Sequence, residues 1–436
     1  RRSRWRSPGR LSNCRGCASR SGRWSLTTPS SSDDALAGVL REQSGRLVMR
    51  LSRVFGDFAL AEDAVQSAVV EALVAWRRDG VPPNPAGWLS LAARRNALDA
   101  VRRRSRSTSL PEDWSPTTEA SEPTLGSTTD DRLGLLFACC HPALAIEVRI
   151  ALTLRAVTGL TTAQVARAFL VNEATLAQRI VRAKRKIATA GIALDVPERD
   201  ALPARLADVR TVIYACYNEA FVSTTGTQDR SLGADALWLA ELVAHAFPAD
   251  AESWGLAALL ATQHARASAR FSQSGDLVQL RDQDRSRWDS DLLQRGRDHL
   301  DRAAALRRPG PLQLQAAIAA VHGEAATWDD TDWLQIVGLY EALLRLDPSP
   351  VVRLNRAVAL AEYLPARPAL ALAEPDRGAE PLANYHPYHA ARGELLLRLN
   401  RPNEAEASDL VALRLTANDA ERRLLRSRLR RHTLDE

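Results

Sequence analysis

Apolar residues in the first half of the chain recur at three- and four-residue steps, the period of a helix with one buried face. Between Glu62 and Trp76 the stripe is Val65, Val69, Leu73 and Trp76, with Asp63, Gln66 and Ser67 lying off it. The segment DGVPPNP at 79–85 predicts a break, because proline cannot continue a helix. A second helix is expected from Pro85 or Ala86, capped by Asn84. It carries Trp88, Leu89, Ala92, Ala93, Asn96, Leu98 and Val101 and ends in Arg102, Arg103 and Arg104, where cations suit the helix dipole. Over 105–129 the period gives way to Ser, Thr, Pro and acidic residues, the composition of a flexible linker.

From 130 the helical pattern returns. Thr161 followed by Gln164 predicts a capping box, and a short helix should run to Phe169. Leu170 and Val171 turn the chain, and Asn172 can cap a further helix from Glu173 to about Ala188. Leu176, Ile180 and Ile187 face inward on that helix, while Thr175, Gln178, Arg179, Arg182 and Lys186 share another face. Two short helices joined by a tight turn, the second polar and basic, describe a helix-turn-helix. Everything legible beyond 191 is helical and rich in Ala and Leu. Leu344-Arg345-Leu346 and Leu413-Arg414-Leu415 stand 69 residues apart, twice a period near 34. With Ala391, Gly393, Leu399, Ala405 and Ala412 between them, that period points to tetratricopeptide-like helix pairs. The fold class expected is all-α. The divisions are a disordered Arg/Ser-rich tail at 1–33, a helical unit at 34–104, the linker at 105–129, the helix-turn-helix at 130–190 and a helical domain at 191–436, its repeats clearest over 310–436.

Charge sharpens these divisions. The 436 residues carry a formal +6, unevenly spread. Residues 1–32 hold eight arginines and no acid, 35–104 hold eleven arginines against seven acids, and 141–190 hold six arginines and two lysines against two acids. The linker between the last two blocks is acidic, and 191–436 carries a net −6. Basic blocks suggest a polyanion partner. No run of 18 apolar residues occurs, so no spanning helix is expected, and the start RRSRWRSPGR lacks the apolar run of a secretory signal. Five cysteines cannot build a disulfide framework in a chain this long, which suggests a reducing cytoplasm. Cys14 and Cys17 have zinc-knuckle spacing and Cys139-Cys140-His141 is a short cluster of ligand types, but neither has a second ligand pair nearby. No metal site and no cofactor are expected.

The order of these units brings a family into view. Ala61-Glu62-Asp63-Ala64-Val65-Gln66, Trp76, Trp88-Leu89 and Ala92-Ala93-Arg94-Arg95-Asn96-Ala97-Leu98-Asp99 resemble region 2 of bacterial sigma factors. Gly159-Leu160-Thr161-Thr162-Ala163-Gln164-Val165-Ala166 through Ala183-Lys184-Arg185-Lys186 resembles region 4. With no region 1 or full region 3, the chain resembles the extracytoplasmic-function (ECF) sigma factors of the sigma-70 superfamily. Cys139-Cys140-His141-Pro142, the DQDRSRW segment at 282–288 and QLQAAIAAVH at 313–322 look like the subgroup with a long tetratricopeptide-like C-terminal extension. The resemblance covers about 35–435. The tail and the proline-rich 363–388 segment depart from it.

This resemblance implies a partner, core RNA polymerase, contacted through its β′ clamp helices and β flap, and promoter DNA. Asp63 and Gln66 match the helix face that docks on the clamp helices. Trp88, Arg94, Arg95, Asn96, Arg102, Arg103 and Arg104 match the region that opens and reads the −10 element, where an unstacked base needs an aromatic or amide pocket and its backbone needs cations. Thr175, Gln178, Arg179, Arg182 and Lys186 match the −35 recognition helix, where arginine can pair with guanine and glutamine with adenine. Bland readings stand beside these: a solvated helix face for Asp63 and Gln66, a core tryptophan for Trp88, a solvated helix end for the arginine run.

The C-terminal half offers little for an enzyme. Asp282 and Asp284 are two residues apart and share no helix face, and with Asp289, Arg285 and Arg287 they read as capping and salt-bridge residues at a repeat junction. His322, His386 and His389 are scattered. The expectation is therefore a non-enzymatic, cytoplasmic sigma factor controlled by its own C-terminal domain, which could take a signalling protein or peptide and touches no membrane. The rival is a conventional helix-turn-helix regulator with a tetratricopeptide sensor that is not a polymerase subunit.

Overall fold

The computed structural model describes residues 32–107, 131–169, 171–222, 232–364, 382–416 and 418–432. The tail with Cys14 and Cys17, most of the expected linker and the centre of the proline-rich segment lie outside them. The described residues form helices and short turns, with no strand among them beyond one isolated bridge between Phe271 and Leu277.

Three long helices come first: α1 (Ser32–Phe55), α2 (Phe58–Asp79) and α3 (Pro85–Ser107). Asp57 caps α2 by accepting the Leu60 amide at 3.0 Å, and Gly80, at φ 85°, ends it. Asn84 accepts the Gly87 amide at 2.9 Å to start α3, as its position predicts. That helix runs to Ser107, slightly past the expected linker start. An ion pair from Arg104 back to Asp57, 2.7 Å, holds this last stretch. On α2 the buried alanines 61, 64, 68 and 72 recur at helical steps, and such small residues allow neighbours to approach closely.

Four shorter helices follow: α4 (Asp131–Cys139), α5 (Ile146–Leu152), α6 (Thr162–Ala168) and α7 (Glu173–Thr189). The expected capping box on α6 and the Asn172 cap on α7 are both present. A wide π turn at Thr153–Val157 prolongs α5 and closes at Gly159, φ 76°. A Cβ on Gly159 would lie 2.2 Å from Ser44 Oγ on α1, so only glycine lets these two segments meet.

The described residues of the C-terminal half form a run of helices: α8 (Leu202–Val222), α9 (Leu232–Ala246), α10 (Ala251–His264), α11 (Ser290–Ala305), α12 (Pro311–Glu324), α13 (Trp333–Leu346), α14 (Pro350–Tyr363), α15 (His386–Arg398), α16 (Pro402–Leu415) and α17 (Asp419–His432). Gly393 lies against Asp409, and Ala405 and Ala412 are fully buried, so α15 and α16 meet through small residues. One apolar core runs without interruption from α1–α3 through α4–α7 into α8–α10, joining Val69, Leu89, Leu154, Ile180, Val212 and Leu239. Smaller clusters serve the later helix pairs, among them Ile318, Val321, Ile336 and Val337.

Candidate functional site

The face of α2 beyond its apolar stripe is where the structure departs most from the sequence expectation. Gln66, expected beside the stripe and open to a partner, is only 6% exposed. Its side-chain amide donates to the Arg155 carbonyl, 2.9 Å, on the π turn. Glu62 is fully buried. Its Oε2 accepts from Lys184 Nζ at 2.9 Å, while Oε1 lies 2.6 Å from Arg155 Nε as an ion pair without hydrogen-bond alignment. Asp63 is still 61% exposed, yet its Oδ1 accepts from Lys184 Nζ at 2.6 Å and from Arg155 Nη2 at 3.2 Å. Two carboxylates of α2 thus interlock with two cations from the second helical group. The physical setting is the shared apolar core in which the π turn and α7 pack against α2, joining Val65, Val69, Leu154 and Ile180.

Glu62, Arg155 and Lys184 were not among the expected site residues. The signal for Lys184 was present. The chain has only two lysines, and Lys184 falls four residues after buried Ile180, on the inward face of α7. A lysine there implies a carboxylate partner across the interface.

On α3, Trp88 is half-buried and meets Trp76 edge to face, with centroids 5.5 Å apart and ring planes at 71°. Arg94 and Arg103 are exposed. Arg95 pairs with Glu71 at 2.6 Å, Arg102 with Asp99 at 3.5 Å and Arg104 with Asp57 at 2.7 Å. Asn96 also donates to Glu71, 3.0 Å, so part of this set is engaged in bracing α3 on α2. Burial opposes ionisation of Asp57, but hydrogen bonds from Arg104 and the Leu60 amide outweigh it and hold the carboxyl below its usual range.

Helix α7 separates its faces cleanly. Leu176, Ile180, Ala183, Lys184 and Ile187 are buried. Thr175, Gln178, Arg179, Arg182 and Lys186 are all exposed on the other side. Arg179, Arg182 and Lys186 line an open groove of about 580 Å³ with Ala143, Leu144 and Glu147. Side chains so placed can offer charge to phosphates and donors to base edges.

Cys139 and Cys140 are fully buried free thiols, and burial raises both, Cys140 to about 12. No group of three metal-ligating side chains occurs among the described residues. Asp284 and Asp289 cap the turn and helix that follow them, as expected, but among the described residues the salt bridges expected of this cluster are not formed, Arg285 and Arg287 donating to carbonyls instead. Arg285 donates to the carbonyls of His322 and Ala325, at 2.8 and 2.7 Å, and so closes the end of α12. No helix of the described residues is long and apolar enough to cross a membrane.

Three family models match this chain. Sigma-70 region 2 matches residues 40–107, sigma-70 region 4 matches 135–187, and a family of unknown function (DUF6596) matches 205–304. An uncharacterized protein from Rhizobium meliloti (strain 1021) is 44% identical over 406 residues, which cover 91% of this chain and 95% of that protein. No solved structure matches.

Proposed function

This chain belongs to the extracytoplasmic-function sigma factors of the sigma-70 superfamily, in the subgroup with a helical C-terminal extension, and on that premise we propose how it divides the work of promoter recognition among its faces. Its role is in transcription initiation, with core RNA polymerase and promoter DNA as partners. Asp63 and Gln66 dock on the β′ clamp helices. Trp88, Arg94, Arg95, Asn96 and Arg102–Arg104 melt and read the −10 element. Thr175, Gln178, Arg179, Arg182 and Lys186 read the −35 element. Melting by such a protein needs no catalysis, because binding energy spent on an unstacked base shifts the duplex equilibrium.

The observation that carries this reading is the sorting of α7, whose five expected DNA-facing residues are all exposed while the opposite row is buried. The extension acts as the control element, since its α8–α10 share one apolar core with both sigma regions. Co-elution with purified core polymerase tests the reading. The full chain is expected to travel with core, and Asp63→Ala to weaken that association at least tenfold, the loss of one charged contact at an interface. A full chain that binds specific duplex DNA but never associates with core would favour the conventional-regulator reading.

A further inference from the structure

We propose that Arg155 and Lys184 of region 4 form an intramolecular clasp on Glu62 and Asp63 of region 2, one that competes with core polymerase for the same face of α2. The inference rests on the reading of Asp63 and Gln66 as polymerase-docking residues. Three observations carry it. First, the groups a clamp helix would need are already used: the Gln66 amide is spent on the Arg155 carbonyl, and Lys184 bridges Glu62 and Asp63. Secondly, the pairs join residues 89 to 122 positions apart, so they report the docking of one region on the other rather than local helix structure. Thirdly, Glu62 has no exposure and Lys184 only 4%, so a partner helix can reach this end of the face only after region 4 withdraws.

The ionic part of the contact suits a closure that must reopen, and the apolar core shared by α2 and α7 sets the cost of opening. Burying ions costs about as much hydration as their attraction returns, so a buried ion cluster adds little net stability while fixing which surfaces meet. On opening, the three buried charges, Glu62, Arg155 and Lys184, regain water. The extension braces the closed arrangement from both sides. Asp235 of α9, itself buried, pairs with Arg41 of α1. From α8, Arg205 donates to the Phe137 carbonyl at 2.5 Å and Asp208 pairs with Arg149 at 3.5 Å, which ties region 4 to the same scaffold. A shift of α8 against α9 would therefore loosen the clasp, and this is the route by which the extension can control docking.

Scarcity of lysine makes the test clean. A water-soluble carbodiimide joins a lysine amine to a carboxylate at ion-pair distance, and only Lys184 and Lys186 supply such side chains. In the free full-length protein, mass spectrometry is expected to find the peptide of Lys184 joined to that of Glu62 and Asp63. Saturating core polymerase is expected to abolish most of this product. In parallel, Lys184→Met should bind core roughly fivefold more tightly or better, the usual scale of one coupled contact. A crosslink that persists undiminished in the polymerase complex, or a folded Lys184→Met protein that binds no tighter, overturns the clasp. Retention of full affinity when Asp63→Ala is added to Lys184→Met, where the lysine arm of the clasp is already gone, would instead overturn the docking reading on which it rests.

Discussion

Gly159→Ala is the substitution whose cost can be worked most directly from the structure. Gly159 closes the π turn: its amide reaches the Arg155 carbonyl at 3.2 Å and the Leu160 amide reaches the Leu154 carbonyl at 3.0 Å. Its φ of 76° costs an alanine about 1–2 kcal/mol. The added Cβ would also sit 2.2 Å from Ser44 Oγ and 3.0 Å from Ser44 Cβ, closer than non-bonded atoms approach. Forcing α1 and the turn apart adds about 1–3 kcal/mol, the usual range for overpacking. The total is about 2–5 kcal/mol, measured as a shift in the urea midpoint at constant slope. Ser44 Oγ is buried without a hydrogen-bond partner among the described residues, so Ser44→Ala alone should be nearly neutral. In the Gly159→Ala background it removes the nearer clash and should recover about 1 kcal/mol. A loss below about 0.5 kcal/mol for Gly159→Ala, or strict additivity with Ser44→Ala, would refute the claim that α1 and the π turn are in contact.

Three further outcomes follow from the same geometry. Arg285→Met strips two donors from the end of α12 and should cost about 2–3 kcal/mol, with hydrogen exchange accelerating first over residues 318–324; uniform exchange would deny the capping role. Burial and nearby arginines hold His322 down at about 4, against 6.5 when unfolded. The unfolded chain therefore binds the extra proton between those values, so stability falls as pH drops from about 6.5 towards 4, by on the order of 2 kcal/mol after discounting partial exposure. His322→Asn should flatten that window in urea titrations at stepped pH, and an unchanged slope would show that other groups set it. Arg179→Ala and Lys186→Ala should each lower the salt dependence of promoter-duplex binding by about one ion if they contact phosphate, whereas an unaltered slope with relaxed sequence preference would place them on bases.

Much of this architecture was legible because it is local. The stripe of Val65, Val69 and Trp76, the break before Pro85, and the caps at Asn84, Thr161 and Asn172 all follow from residues a few positions apart. The exposed row of α7 follows from helical period alone. The engagement of α2 was not legible, since Glu62 and Gln66 meet their partners 89 to 122 residues away. A period argument places such side chains beside the apolar stripe and cannot say which surface arrives to cover them. The same holds for the extension. Its net −6 beside two basic blocks is a matter of charge, while the structure joins them chiefly through the apolar core of Val209, Val212, Ile213 and Leu239. Single substitutions in the full chain are consequently better probes of its influence than a cut near residue 190, which would expose that core.

The central claim is that this chain starts transcription by equipping core polymerase with promoter recognition. Run-off transcription with purified core, the full chain and a genomic promoter pool tests it most directly. Discrete transcripts that require the protein, and that vanish with Asp63→Ala, are the predicted result. Specific binding to promoter duplex with no transcript from any template would contradict it.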